Sequence, residues 1–130
     1  MDITQNQIQY CCLNEQEVYH KLYQEAQNDA YTAYWRGTRR CTEKDFFHEA
    51  SASFQFPYYF GENWPALDEC ITDLEWIKFS RIFLFIDNFD KMFRGNTSTQ
   101  QLLIKHLEMW INEWKTQNVV FEVWVNRSGK

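Results

Sequence analysis

Hydrophobic and polar residues along this chain follow two periods that occur in turn, one typical of helices and one typical of strands. Four segments have apolar residues at helical spacing or begin with a capping residue, which predicts helices over 15–28, 43–53, 64–76 and 98–115. Runs rich in β-branched and aromatic residues predict strands over 5–13, 31–36, 82–86 and 119–125. Because strands and helices alternate, the pattern predicts an α/β fold in which helices cover a sheet.

Polar residues at the helix starts support this division. The predicted N-caps are Asn14 with Glu17, Thr42 with Asp45, Asn63 ahead of Pro65, and Thr97 with Gln100.

The run Ile82–Ile86 is apolar at every position, which predicts a strand buried on both faces of the sheet. Aromatic residues near the C-terminus are predicted to pack helix against sheet rather than to form a ligand cage. They are Trp110, Trp114, Phe121 and Trp124.

Length and composition predict one folded domain over residues 1–130. Hydrophobic residues make up 45% of the chain and aromatic residues 18%, so a core large enough to offset the lost backbone entropy can form.

The cysteines and histidines show neither CxxC nor another metal-ligand spacing, so no metal and no cofactor is expected. No apolar run approaches the roughly 18 residues of a membrane span, and the polar N-terminus does not resemble a signal peptide. We therefore expect a cytoplasmic protein with reduced thiols.

Charge separates one segment from the rest of the chain. The net charge is -5, from 13 Lys and Arg against 18 Asp and Glu. Segment 56–76 contains five acidic residues and no Lys or Arg, so it accounts for the whole imbalance. In the helix predicted there, Glu69 and Asp73 lie one turn apart and nearly opposite the apolar stripe that begins at Leu67. A net acidic chain suits a basic protein partner better than a nucleic acid. Charge alone favours a solvated surface and does not exclude a docking face for a cationic partner.

The sequence of this acidic segment is similar to a known motif. Residues 56–74 read FPYYFGENWPALDECITDL, which closely resembles the central turn and helix of the barstar family. The founding member of that family inhibits a secreted microbial ribonuclease. The strand that ends at Asp87, the helix that carries tryptophans and the final strand with VFEVWV also fall where the family has them. The resemblance covers nearly the whole chain, with residues 30–126 as the core and residues 1–29 as an N-terminal strand–helix extension.

The resemblance implies a small, mostly parallel sheet flanked by helices, and a non-catalytic inhibitor that is monomeric when free. Its partner would be a basic protein, a nuclease toxin whose phosphate-binding cleft the acidic helix plugs, with no membrane or nucleic acid involved. Partner-binding roles carry over to Tyr59, Gly61, Asn63, Trp64, Asp68, Glu69, Thr72, Asp73 and Glu113. Glu69 stands where the family places its principal acidic anchor, usually Asp. Such a protein would serve as the immunity partner in a toxin–antitoxin pair.

One departure from the motif leaves an alternative open. Pro65 stands where the family has an acidic contact residue, and proline cannot accept a hydrogen bond there. The alternative is a non-catalytic regulatory module that keeps the barstar-like fold and binds a partner other than a nuclease. An enzyme is not expected, because no nucleophile–base pair, phosphate-cradling glycine loop or metal-ligand cluster accompanies the carboxylates.

Overall fold

The computed structural model describes residues 8–37, 42–57 and 60–127. The strands within these ranges are β1 (Gln9–Cys11), β2 (Ala30–Arg36), β3 (Arg81–Asp87) and β4 (Val120–Asn126). The helices are α1 (Glu15–Gln27), α2 (Glu43–Phe54), α3 (Trp64–Ile71) and α4 (Thr97–Thr116), and an irregular 3-10 segment, Phe89–Gly95, precedes α4. The α/β fold predicted from the alternation of patterns is confirmed.

The strands form a single sheet in the order β1–β4–β3–β2, and every pairing between the described strands is parallel. The prediction of a mostly parallel sheet is thus confirmed. β3 lies between β4 and β2, and its residues Ile82–Ile86 are 0% exposed. Their continuous apolar run follows from this position, since a central strand covered on both faces has no side that water reaches.

Helices cover both faces of this sheet. On one face, α2, α3 and α4 pack against side chains such as Trp35, Leu84 and Val123 in the main core. On the opposite face, α1 places Val18 against Phe83 and Phe85 in a smaller cluster. The predicted N-terminal extension therefore supplies both the edge strand β1 and the cover for the second face.

The sheet divides the aromatic residues that the sequence placed in one group. Trp110, Trp114 and Phe121 lie in the main core between α4 and the sheet, as predicted. Trp124 also packs helix against sheet, as predicted, but on the α1 face beside Phe83. Successive residues of a strand point to opposite faces, and Trp124 follows Val123 in β4, which is buried in the main core.

Three of the four predicted N-caps are present, and α4 differs. Asn96, rather than Thr97, caps α4 by accepting a hydrogen bond from the Thr99 amide at 3.0 Å. The Gln100 side chain is buried and donates instead to the carbonyls of Asp90 and Met92, at 3.2 and 3.0 Å. The Gln100 side chain therefore satisfies carbonyls of the preceding 3-10 segment rather than the helix start.

Neither a membrane span nor a metal cluster occurs in the described part of the chain. None of its helices combines the length and hydrophobicity needed to cross a bilayer. No three or more His, Cys, Asp or Glu side chains in these ranges are grouped so that they could hold a metal ion. The described cysteines Cys11, Cys12 and Cys70 are free thiols.

Candidate partner-binding face

The turn before α3 is held by Asn63. The Asn63 side chain accepts a hydrogen bond from the Ala66 amide at 2.8 Å and donates to the Gly61 carbonyl at 3.2 Å. Glu62, not Gly61, has the left-handed backbone, with a φ of 54°, and its carboxylate lies 2.9 Å from Nε2 of His48. Asn63 thus fixes the direction in which α3 leaves the turn. Tyr59, predicted as a contact in this turn, lies outside the described residues.

Helix α3 ends earlier than the sequence pattern predicts. Its last residue is Ile71 rather than residue 76, and the Thr72 hydroxyl donates to the Asp68 carbonyl at 2.7 Å. Leu74 then adopts a left-handed backbone, with a φ of 47°, and its side chain is 1% exposed. The chain reverses at Leu74, and this reversal buries the Leu74 side chain in the core. In a helix continued past Ile71, the side chain would point in a different direction. Asp73 therefore lies beyond the helix, and the prediction of one helical face shared by Glu69 and Asp73 was wrong.

Trp64 begins α3 and is half-buried among aromatic rings. Its indole N–H donates to Oε2 of Glu43 at 2.8 Å. Its ring stacks on His106 with centroids 4.7 Å apart and meets Phe47 edge-on at 5.3 Å. The polar edge of Trp64 is thus engaged within the chain, and the residue anchors α3 to α2 and α4.

Asp68 lies in the seam between α3 and α4. Its Oδ1 is 2.7 Å from Nδ1 of His106 and accepts the indole N–H of Trp110, also at 2.7 Å. One turn later in each helix, the Trp114 indole N–H donates to the Ile71 carbonyl at 2.9 Å. Because the contacts advance together along both helices, α3 and α4 run in the same direction side by side.

Glu43 and His106 were not found from the sequence, although each holds a predicted contact residue in place. Their partners lie 21 and 38 residues away along the chain, and no local spacing connects them. His106 is a single histidine on a helix, which by itself gives no functional signal. Only the packing of α2 and α4 around α3 brings these side chains to Trp64 and Asp68.

The remaining predicted acidic residues are exposed. Glu69 and Asp73 are both in solvent, and their negative charges, after burial itself, raise the pKa of the Cys70 thiol. Both carboxylates therefore lie near the buried Cys70, although no single helical face joins them. Glu113 is exposed on α4, seven residues or about two turns after His106, so it lies on the side of α4 that borders α3.

The predicted contact residues thus fall into two groups. Asn63, Trp64, Asp68 and Thr72 have polar side-chain atoms bonded within the chain, where they fix α3. Glu69, Asp73 and Glu113 are exposed, and no salt bridge joins them to the described residues. We call these three carboxylates the acidic face. The bonds of the first group hold the backbone of α3 in place, and exposed carboxylates such as these can bind cationic groups.

Comparison with known sequences identifies a family. The family model described as Barstar (barnase inhibitor) matches residues 30–126, which is β2 through β4 and includes α3 and the whole acidic face. A search of curated proteins gives no match.

Comparison with known structures shows the fold alone. A chain from "Structure of Drosophila ORC bound to DNA" superposes with a TM-score of 0.52 at 14% identity, over 92% of this chain and 65% of that one. A chain from "Structure of Drosophila ORC bound to AT-rich DNA and Cdc6" gives a TM-score of 0.52 at 16% identity, over 95% of this chain and 42% of that one. This chain therefore spans less than two thirds of those neighbours, and at such identities the likeness is one of fold.

Proposed function

We propose, from the fact that this chain belongs to the barstar family, that it is a protein inhibitor which blocks the active site of a ribonuclease or related nuclease toxin. The acidic face would enter the partner's cationic cleft, and the chain itself would carry out no reaction. In a cell that makes the toxin, such a protein would be the immunity partner.

One observation supports this proposal above the others: Glu69 and Asp73 form a negative surface that the chain does not neutralise. Segment 56–76 contains no Lys or Arg, and no salt bridge to a described residue engages either side chain. Both charges lie close enough to raise the pKa of the same thiol. A cationic partner that docks on these unpaired charges would gain binding energy and a faster encounter from them.

The support beneath these charges suits an inhibitor. A nuclease cleft that binds phosphate carries Arg and Lys, and a carboxylate placed where the phosphate would sit accepts their hydrogen bonds. Such a contact is tight only when the carboxylate is held in advance, because ordering it on binding costs entropy. Asn63 at the start of α3 and Asp68 along its length provide that order, since both are bonded within the chain. The family's founding pair is a standard example of electrostatic steering between an inhibitor and its nuclease.

A second candidate function is favoured by Pro65. Its side chain is exposed in the first turn of α3, where the family places an acidic contact, and it removes one acceptor from the surface that meets a nuclease. A regulatory module that binds a cationic protein without nuclease activity would not need that acceptor. Both functions use the same acidic face, and they differ in what it binds.

Binding and inhibition can be tested together with charge-reversed protein. Wild type, a Glu69→Lys/Asp73→Lys variant and a Glu15→Lys/Glu108→Lys control are immobilised, and proteins retained from source lysate and secretions are eluted with salt. The control makes the same change in net charge at exposed residues of α1 and α4. The proposal expects a basic nuclease on wild type and control, absent from the Glu69→Lys/Asp73→Lys surface, and inhibited in solution by wild type.

Two other results would contradict the nuclease-inhibitor proposal. A basic protein without nuclease activity that shows the same dependence on Glu69 and Asp73 would establish the regulatory module. Equal retention on all three surfaces would mean that the acidic face is not the binding site, and both proposals would fail.

A further inference from the structure

A cavity lies on the α1 side of the sheet, on the face opposite α3 and therefore apart from the acidic face. Its volume is about 450 Å³, within the range of small-molecule pockets in proteins, which is roughly 300–1,000 Å³. Its apolar wall is formed by Leu13 after β1 and by Val18 and Leu22 of α1. Residues 8–29 precede the segment that matches the family, so this wall belongs to the extension.

The opposite wall is polar and fixed by its own hydrogen bonds. Asp87, the last residue of β3, accepts hydrogen bonds from the Tyr34 hydroxyl at 2.7 Å and from Nδ2 of Asn126 at 2.9 Å. It also accepts the backbone N–H of Asn88 at 2.9 Å. A carboxylate offers about four acceptor positions, so the described residues leave one position on Asp87 unused. Asn126 is 2% exposed and is bonded in turn to both backbone groups of Leu13.

The position of the cavity in the fold is one where α/β proteins bind ligands. Asp87 and Asn126 end the parallel strands β3 and β4, and Leu13 follows the parallel strand β1. After β1 the chain crosses the sheet on the α1 face, whereas after β3 it crosses on the α4 face. β4 lies between β1 and β3, so the two crossovers leave opposite faces on either side of the carboxyl end of β4. Open α/β sheets bind their ligands outside the carboxyl ends of their strands, where such crossovers diverge.

The charge of the lining selects the ligand. Two carboxylates line the cavity, Asp87 at its inner wall and Glu15 at the start of α1, and no Lys, Arg or His is among the described residues that line it. An anionic ligand would be repelled by both charged side chains of this lining. A ligand with an apolar body and a cationic group would place the body against Val18 and Leu22 and the cation against Asp87.

We propose that this cavity is a binding site for a small organic cation, a primary amine with an apolar body. The ammonium group donates to the unused acceptor position of Asp87 and is attracted by Glu15. The site is independent of the acidic face, so either proposal can fail while the other stands.

The test compares three probes that share one apolar body and differ in charge. Phenethylamine, phenethyl alcohol and phenylacetate are each titrated to roughly 10 mM, tenfold above the Kd of a weak millimolar site, while backbone amide shifts of the full chain are recorded. We expect phenethylamine to shift the amides of Leu13 and Asn88 and to bind at least tenfold more tightly than the alcohol, with no shift from phenylacetate.

Matched variants locate the ammonium group and the body. Asp87→Asn removes the charge that the ammonium group contacts and should weaken phenethylamine binding by about tenfold or more. Glu15→Gln removes the second, exposed charge of the lining and should weaken binding by about two- to fivefold, as for exposed charge pairs. Leu22→Phe fills the cavity and should abolish binding without touching the polar wall. Glu108→Gln removes one exposed charge of α4 that does not line the cavity, and it should bind as wild type does. If Asp87→Asn fails to fold, Glu15→Gln and Leu22→Phe still decide.

Several outcomes would overturn the proposal. They are equal binding of the amine and the alcohol, shifts confined to residues outside the cavity, and binding that Leu22→Phe leaves unchanged. Absence of any shift with phenethylamine overturns it as well. If a lysine-bearing peptide then shifts the same amides, the occupant is a protein side chain and not a small molecule.

Discussion

Asp68 and Glu69 are neighbouring carboxylates of α3 with opposite surroundings. Asp68 accepts hydrogen bonds from α4, whereas Glu69 is exposed. The first carboxylate fixes the position of the helix, and the second is available to a partner. Residues that look equivalent in the sequence therefore have different surroundings: Asp68 contributes to stability, whereas Glu69 is the carboxylate to which the proposed function assigns binding.

This difference predicts different effects of alanine at the two positions. Asp68→Ala leaves the indole N–H of Trp110, which is 0% exposed, without its acceptor, so the free energy of unfolding should fall by about 2–3 kcal/mol. Glu69→Ala should change it by no more than about 0.5 kcal/mol, as is usual for exposed positions. Urea unfolding monitored by tryptophan fluorescence measures both. Equal destabilisation by the two substitutions would contradict the division of roles.

Tyr34 is the residue whose environment makes stability depend on alkaline pH. Burial, followed by the hydrogen bond to Asp87 and the negative charge of that carboxylate, raises the pKa of the Tyr34 hydroxyl. The folded state thus holds this proton more tightly than the unfolded state, whose tyrosines titrate near pH 10. The resulting stabilisation is fully present below that pH and is lost as pH rises toward the folded-state pKa.

Removal of the Tyr34 hydroxyl should therefore flatten the alkaline decline. Tyr34→Phe should be less stable than wild type at pH 8, by about 1.5–3 kcal/mol for a hydrogen bond to a charged group, and the difference should shrink above pH 10. Urea unfolding from pH 8 to 11 measures it. A difference between the two proteins that stays constant over this range would show that Tyr34 does not titrate differently on folding. Tyr10 and Tyr31 are present in both proteins, so their titration cancels.

At the scale of elements, α3 is a short helix supported on both sides. α2 holds its first residue through Glu43, and α4 holds its middle and end through Trp110 and Trp114. A helix of eight residues is marginal by itself in water. Its rigidity therefore derives from its neighbours, which leaves its outer surface free to vary with the partner.

Pro65 on that surface predicts weak inhibition of a ribonuclease of the founding type. Pro65→Asp restores an acidic acceptor in the first turn, where negative charge also suits the helix dipole, and should strengthen inhibition of such an enzyme by about tenfold, the scale of one charge-assisted contact. Pro65→Ala, which removes the ring without adding charge, is the control and should inhibit as wild type does. Inhibition constants measure all three. Equal constants for wild type and Pro65→Asp would refute this role of Pro65.

At the scale of the whole molecule, the extension and the family core share one sheet. α1 covers Phe83 and Phe85, both 0% exposed, and its buried Glu25 lies 3.0 Å from Lys21 and 3.6 Å from Arg81 of β3. Removing one partner of a buried ion pair destabilises a protein, because the remaining charge is left buried without compensation. The extension thus joins the second face of the sheet through both apolar and charged contacts.

Deletion of residues 1–29 should therefore weaken the fold. Exposure of the two phenylalanines alone would cost about 3–6 kcal/mol, which is comparable to the whole stability of many domains. We expect a lower urea midpoint and a tendency to associate through the bared face, seen by sedimentation. A monomeric remnant with the midpoint of the full chain would instead show that the extension is an accessory to a core of residues 30–126. Phe85→Ser in the remnant separates the two effects, since it should reduce association without restoring stability.

The sequence by itself determined the elements whose causes are local. The alternation of patterns predicted the helices and strands, the apolar run Ile82–Ile86 predicted a strand buried on both faces, and Asn14, Thr42 and Asn63 predicted three helix starts. These predictions are confirmed because a cap or a hydrophobic period depends on residues a few positions apart. The motif of residues 56–74 likewise indicated the family, which the match over residues 30–126 shows.

Only the tertiary structure decided which of the candidate residues are free to bind. The core draws Leu74 inward and ends α3 at Ile71, and α4 brings His106 to Asp68 from 38 residues away. The pleat of β4 sends Trp124 to the opposite face from Trp110. Each result arises from contacts between segments that are distant in the chain, where side chains compete for the same interior space. A local sequence pattern does not include these distant contacts. It therefore predicted acidic residues on α3 but not which of them would be hydrogen-bonded within the chain, as Asp68 is, and which would be exposed, as Glu69 is.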